Sequence, residues 1–226
     1  MSTYVISDIH GMYKEFIAML ELIKFNKEDE LYIIGDIIDR GPQPIDLLEY
    51  IVAHNNIHLI KGNHEEMLLE WYYYGNYYWI SNNGGDTTYR QLQDYQMHSN
   101  INYLDAVVQY INRLPLYKIL EINEKKYILV HSALDILDDI KDMSVEELIR
   151  IQDKNYMLWN REHIENVKTF KDYTIIHGHT PVQLIDKNNT GTIITKQGNI
   201  YIDCGACFTN GKLGCLRLDD METFYI

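Results

Sequence analysis

Hydrophobic and polar positions follow two alternating periods in the first sixty residues of this chain. Thr3-Tyr4-Val5-Ile6-Ser7, Leu31-Tyr32-Ile33-Ile34 and Ile57-His58-Leu59-Ile60 are short apolar runs that predict strands. Between the first two, Phe16, Met19, Leu20 and Ile23 repeat at helical spacing, and Lys14, Glu15 and Glu21 fall off the stripe. Between the second and third, Pro42 and Pro44 open a helix whose stripe is Ile45, Leu48, Ile51 and Val52. Strand, helix, strand, helix, strand predicts a parallel βαβαβ unit, in which the C-terminal ends of the strands share one edge.

Beyond residue 70 the pattern changes. Residues 71–95 are dense in aromatics, among them Tyr72, Tyr73, Tyr74, Tyr77, Tyr78, Trp79 and Tyr89, and contain the turn signal Asn82-Asn83-Gly84-Gly85-Asp86. Two compatible readings are a small helical subdomain with its own aromatic core, and a lid that turns one or more of Tyr72 to Tyr78 toward a substrate. Residues 104–114 read as a helix stopped by Pro115, and 116–122 and 126–130 as a hairpin about Asn123-Glu124-Lys125. Ser144 followed by Glu147 is a capping-box helix start, and Trp159-Asn160-Arg161-Glu162 lies in a less regular stretch. Strands resume at 173–176, 192–195, 199–203, 213–218 and 223–226. The expected fold is α/β: one domain over 1–226, a β-sandwich with helices on its outer faces and 71–98 as a cap. A mostly parallel sheet would come from the first half and a mixed sheet from the second.

Composition narrows the function. The formal net charge of −13 and the absence of a basic stripe argue against a nucleic-acid partner. No apolar run approaches the roughly 18 residues that span a bilayer, and the N-terminus has neither a basic flank nor an apolar signal core, so no membrane partner and a cytoplasmic location are expected. Three cysteines make no disulfide framework. An acidic total is compatible with an anionic substrate, because bound divalent cations invert the local field of a carboxylate-lined site.

The candidate chemistry sits at the strand ends. Asp8-Ile9-His10-Gly11 follows the first strand, Gly35-Asp36-Ile37-Ile38-Asp39-Arg40-Gly41 the second and Lys61-Gly62-Asn63-His64-Glu65 the third, while His131 and His179 end later strands. Asp8, His10, Asp36, Asn63, His131 and His179 form a mixed carboxylate, imidazole and amide set, which suits manganese, iron or zinc better than calcium or magnesium. One carboxylate shared by two ions holds them about 3.5–4 Å apart. Arg40 offers a fork for phosphate oxygens. Alone, residues 35–41 also read as an ordinary charged turn; the other clusters weigh against that.

These motifs resemble those of the metallophosphoesterases, and within them the phosphoprotein phosphatase branch. Asp-x-His-Gly, Gly-Asp-x-x-Asp-Arg-Gly and Gly-Asn-His-Glu stand at 8–11, 35–41 and 62–65, Val130-His131-Ser132-Ala133 and His177-Gly178-His179-Thr180-Pro181 match two later motifs, and Tyr201-Ile202-Asp203-Cys204-Gly205-Ala206 looks like the closing strand. The resemblance implies a calcineurin-like four-layer α-β-β-α sandwich with an aromatic helical insertion. It implies two divalent metals, most simply Mn²⁺, with Asp8 and His10 on the first, Asp36 bridging, and Asn63, His131 and His179 on the second. His64 would be the general acid, oriented by Asp39, and Arg40 and Arg161 would hold phosphoryl oxygens. The implied substrate is a phosphorylated protein or a small phosphoester, which makes a serine/threonine phosphoprotein phosphatase the first expectation. The alternative is symmetrical cleavage of diadenosine tetraphosphate. Glu65 leans toward the former, because the nucleotide enzymes more often carry aspartate there. A scaffold that had lost catalysis would lack ligands or the catalytic histidine, and none is missing.

Two positions depart from the pattern. Ser7 replaces a glycine where only a small residue is needed, and Lys61 replaces an arginine, which puts in doubt any substrate contact there. Cys204 and Cys207 have redox spacing but overlay the closing strand, and Cys215 reads as core. His54, His58, His98 and His163 read as surface or packing residues. Glu65 reads as a helix cap, and His177 is assigned no role.

Overall fold

The computed structural model describes residues 1–98, 102–137 and 142–226. Its first sheet starts from β1 (Thr3–Ile6), β2 (Glu30–Ile34) and β3 (Ile57–Ile60), paired in parallel with Tyr4 opposite Leu31 and Leu31 opposite Ile57. The connections are α1 (Tyr13–Leu22) and α2 (Pro44–Val52). Alternate residues of these strands face opposite ways. Tyr4, Ile6, Leu31 and Ile33 meet the helices, whereas Val5, Tyr32, Ile34 and Ile60 meet the other sheet. Both faces are covered, which is why the strands read as continuous apolar runs.

The second sheet has the order β4-β5-β6-β8-β7, from β4 (Tyr117–Ile122), β5 (Lys125–Val130), β6 (Tyr173–His177), β7 (Ile194–Lys196) and β8 (Asn199–Tyr201). Asn123 and Glu124, at φ 49° and 65°, make the tight left-handed turn between β4 and β5. Tyr127, Leu129, Ile176 and Ile200 form the inner layer against the first sheet. Ile128, Val130 and Ile175 pack outward on Leu148 of α7 (Val145–Arg150) and Met157 of α8 (Lys154–Trp159). The result is helix, sheet, sheet, helix. Ser144 and Glu147 close the expected capping box on α7.

Three features differ from the sequence reading. The first sheet is not a product of the first half alone: β9 (Gly214–Arg217) pairs antiparallel with β1, Val5 opposite Leu216, and β10 (Thr223–Tyr225) adds the edge, so both sheets are mixed. In α2 the buried stripe includes Leu47, and Val52 is 51% exposed because the helix turns its last residue outward. The helices α8 and α9 (Val182–Ile185) have no apolar period long enough to be legible. Among the described residues, no helix is long and apolar enough to cross a membrane.

The aromatic stretch divides among three helices, α3 (Asn63–Tyr74), α4 (Tyr78–Asn82) and α5 (Asp86–His98). Its inner face is a packed cluster in which Trp71 lies 5.4 Å from both Trp79 and Tyr89. Tyr73, Tyr74, Tyr77 and Tyr78 are exposed. With α6 (Tyr103–Asn112), these helices cover the outer face of the first sheet.

Candidate active site and metal centre

All the strand-end motifs meet at one edge of the sandwich. The chain turns sharply there: Asp8, His10, Asp36, Asp39, Arg40 and His179 hold φ between 48° and 74°, a left-handed region that costs a residue with a Cβ roughly 1–2 kcal/mol. Hydrogen bonds between neighbouring strand ends impose it, His10 N–H to Asp36 O at 2.9 Å and Gly11 N–H to Ile37 O at 2.7 Å. Glu65 clamps the second and third motifs, its carboxylate accepting from Asp36 N–H, Ile37 N–H and Gly62 N–H at 2.8–3.0 Å. Gly62 has to be glycine, since a Cβ would stand 2.2 Å from Asp36 Oδ1.

Carbonyl groups behind the site decide where the imidazole lone pairs point. His10 Nδ1–H donates to Ile38 O at 2.9 Å and His131 Nδ1–H to Ile34 O at 3.0 Å, which leaves both Nε2 atoms facing inward. Asp36 Oδ2 lies 3.8 Å from His10 Nε2, 3.9 Å from His64 Nε2 and 3.5 Å from His131 Nε2. Asn63 Oδ1 is 2.8 Å from His131 Nε2 and 2.9 Å from His179 Nδ1. Electron-pair donors thus converge on each other, and His179 Nε2 is buried without a partner. Asp36 is common to two donor groups, one with His10 and His64 and one with His131 and His179. Asp8 joins from β1, its Oδ2 accepting from His179 N–H at 2.9 Å. Such converging donors, with a carbonyl behind His10 and His131, fit a pair of borderline divalent cations.

Beside these donors lies a hydrogen-bonded pair, His64 and Asp39. His64 Nδ1–H donates to Asp39 Oδ2 at 2.6 Å; Trp79 Nε1–H and Thr88 Oγ1–H donate to the same carboxylate, each at 2.6 Å. Three donors fix Asp39, and Asp39 fixes the imidazole. The Arg40 fork spans His10 Nε2 at 2.7 Å and His64 Nε2 at 3.0 Å. Arg161 is held by Nε–H to Thr180 Oγ1 at 3.2 Å. Arg40, Arg161, Asp36, Asn63, His64 and His179, with Asn83 and Trp159, line a cavity of about 210 Å³.

Electrostatics separate the buried acids. Burial pushes Asp36 up, but the imidazoles of His131 and His64 outweigh it and hold the carboxyl well below its usual range. Burial raises Asp8 to about 7, against the pull of His131. Burial lowers His131, yet the carboxylates of Asp36 and Asp8 raise it to about 10, so its Nε2 carries a proton that a bound cation would displace. Burial first, then the His131 charge, lowers His179 to about 2. One carboxylate is therefore a fixed negative charge between the two imidazole groups, the place where added positive charge is most favoured.

A family model described as calcineurin-like phosphoesterase matches residues 1–205. The chain belongs to this family. The symmetrical bis(5′-nucleosyl)-tetraphosphatase of Erwinia tasmaniensis is 33% identical over 136 residues, 59% of this chain and 45% of that protein. The protein of the same name from Buchnera aphidicola subsp. Acyrthosiphon pisum is 32% identical over 178 residues, 74% of this chain and 58% of that protein. The chain spans about half the length of these curated relatives. Among solved structures, a putative diadenosine tetraphosphatase superposes with TM-score 0.62 at 16% identity, covering 99% of this chain and 92% of that one. A protein serine/threonine phosphatase from Saccharomyces cerevisiae gives TM-score 0.62 at 16% identity, covering 100% and 78%. At these identities the structural likeness is one of fold.

In this phosphoesterase the six candidate ligands and His64, Asp39, Arg40 and Arg161 all lie at one edge. The tyrosines singled out as a lid do not line the cavity. Tyr73, Tyr74, Tyr77 and Tyr78 point to solvent and Tyr72 donates to Asp105, because the buried side of the segment is taken by Trp71, Trp79 and Tyr89. The segment's real contributions, Trp79, Thr88 and Asn83, were missed; no local period marks them. Lys61 turns away from the cavity to Glu66, 3.6 Å off, which also receives Lys154 at 2.6 Å. His163 is a packing residue, buried within a ring cluster with His177 and Tyr201. The three cysteines are free.

Proposed function

We propose that this phosphoesterase cleaves dinucleoside tetraphosphates symmetrically, releasing two nucleoside diphosphates. The observation that carries the reading is the 32% identity, over 74% of the chain, to a relative of that name. Glu65, the residue that favoured a phosphoprotein substrate, spends its carboxylate on three backbone N–H groups and does not border the cavity, so it has no bearing on substrate choice.

Asp8, His10 and Asp36 would hold one divalent cation, and Asp36, Asn63, His131 and His179 a second; manganese fits the donor set, with iron or zinc also compatible. Such a pair supplies positive charge to the phosphoryl oxygens and acidifies water at neutral pH. Arg40 and Arg161 both line the cavity and would grip non-bridging oxygens, where charge spreads in the transition state. His64, with Nδ1–H anchored on Asp39, presents Nε2 to the cavity and would pass a proton to the leaving oxygen.

A second reading, a serine/threonine phosphoprotein phosphatase, is favoured by the small polar cavity. About 210 Å³ holds a phosphoryl group and its nearest atoms, and any phosphomonoester presents those. The test is kcat/KM with added manganese for diadenosine tetraphosphate, a phosphopeptide and glycerol phosphate. The expected result is a preference of at least about tenfold for the tetraphosphate, with two equivalents of ADP formed. Faster turnover of the phosphopeptide would establish the second reading.

A further inference from the structure

We propose that the cavity beside Phe208 is the subsite for one nucleobase of the substrate, an inference that rests on the tetraphosphatase reading above. This cavity, of about 570 Å³, is lined by Pro181, Gln183, Leu184, Phe208, Thr209 and Asn210, among other uncharged residues. It is built from α9 and the loop after β8. The two are tied by Val182 N–H to Asp203 O at 2.9 Å and Gln183 Nε2–H to Cys204 O at 3.0 Å. Phe208 and Leu184, 51% and 68% exposed, supply two large apolar surfaces. Thr209 and Asn210 have no side-chain hydrogen-bond partner among the described residues, and Gln183 Oε1 is buried without one. No carboxylate, amine or guanidinium lines the cavity. Apolar faces with unused hydroxyl and amide groups fit an uncharged planar heterocycle that carries its own donors and acceptors. They do not fit the charged flank of a peptide.

The cavity neighbours the phosphoryl site through Phe208. The Phe208 ring centre lies 5.5 Å from Arg40 Cζ, and Arg40 Nη1 lies 3.8 Å from Cys207 Sγ. On the other wall, Pro181 follows Thr180, the residue that anchors Arg161. Arg40 therefore touches a wall residue of the cavity without lining it, so a polyphosphate chain leaving the phosphoryl site past Arg40 brings its base to the Phe208 ring. Stacking on this ring, with the base edge read by Thr209, Asn210 and Gln183, would make Phe208 a specificity residue.

The test uses the metal-loaded full chain and the ratio of kcat/KM for diadenosine tetraphosphate to that for glycerol phosphate, which has no ring. Phe208→Ala should lower this ratio about tenfold or more, the usual effect of losing one base-stacking ring, and Phe208→Trp should restore it. An equal fall for both substrates, or no change, overturns the proposal, since Phe208 would then act only through Arg40 or not at all. If the wild type fails to cleave the tetraphosphate, the functional reading falls, and adenosine alone decides the subsite. Saturation transfer to adenosine with the wild type, lost in both Phe208→Ala and Leu184→Gln, upholds a base site; no transfer with the wild type overturns it.

Discussion

The two sheets contribute unequally to the active edge. The first brings Asp8, His10, Asp36, Asp39, Arg40, Asn63 and His64, each locked by hydrogen bonds within its own sheet or from the helical layer behind it, with Glu65, Trp79 and Thr88 as the chief anchors. The second brings His131 and His179, and these are held largely by atoms of the first: Ile34 O, Asn63 Oδ1 and Asp8 Oδ2. The carboxylate half is preorganised by its own fold, whereas the imidazole half is registered across the gap. Cations bound between them would therefore join the sheets as well as activate substrate.

Among the described residues Asp36 belongs to both candidate donor groups, so Asp36→Asn should have the largest effect. We expect activity to fall at least about a thousandfold and bound metal per chain to drop, read by steady-state kinetics and elemental analysis. Full metal content in that variant would contradict the shared-carboxylate geometry. His64→Asn touches the first half only. It should cost about 10²–10⁴-fold in kcat on an alkyl phosphate while metal content survives. The loss should be smaller on diadenosine tetraphosphate, whose phosphate leaving group is a far weaker base than an alkoxide; equal losses would argue against His64 as the proton donor.

Chelation tests the asymmetry itself. Metal removal should lower Tm by roughly 5 °C or more, and hydrogen exchange should rise more around His131 and His179 than around Asp36. A uniform rise would mean the halves are equally preorganised. Trp79→Phe should cost about 1–3 kcal/mol by leaving the buried Asp39 carboxylate one donor short, with only a fewfold loss of kcat. Tyr74→Ser, on the exposed side of the same segment, should stay within about 0.5 kcal/mol by denaturant unfolding.

A separate effect concerns acid stability on the imidazole side. Burial, then the neighbouring His177, lowers His163 to about 3 from its ordinary value of 6.5. Its folded form is neutral, so the unfolded chain takes up the proton first as pH falls. The associated stability is present above pH 6.5 and is lost progressively as pH falls toward 3. His163→Phe should flatten that part of a Tm-against-pH curve; an unchanged slope would assign acid lability to other groups.

The sequence by itself determined the local elements and the chemical inventory, because both are written in short-range pattern. Apolar spacing located α1 and most of α2, the polar Asn123-Glu124 break located the β4–β5 turn, and Asp, His and Asn at the ends of apolar runs marked the candidate ligands before any geometry was known. Convergence of β1, β2 and β3 also followed, since parallel strands joined by helices share one edge. Only the tertiary structure decided what depends on distant pairing or on the turn of a helix about its axis. Residues 215–217 pair with 4–6, a register no local window carries. Tyr73 and Tyr74 face water while Trp79 and Thr88 face Asp39, because the aromatic helices bury one side, and composition alone does not say which. The sequence left the contact at Lys61 in doubt and read Glu65 as a helix cap. Packing gave one an acidic partner in the helical layer and the other three backbone donors, the cheaper way to satisfy a buried charge.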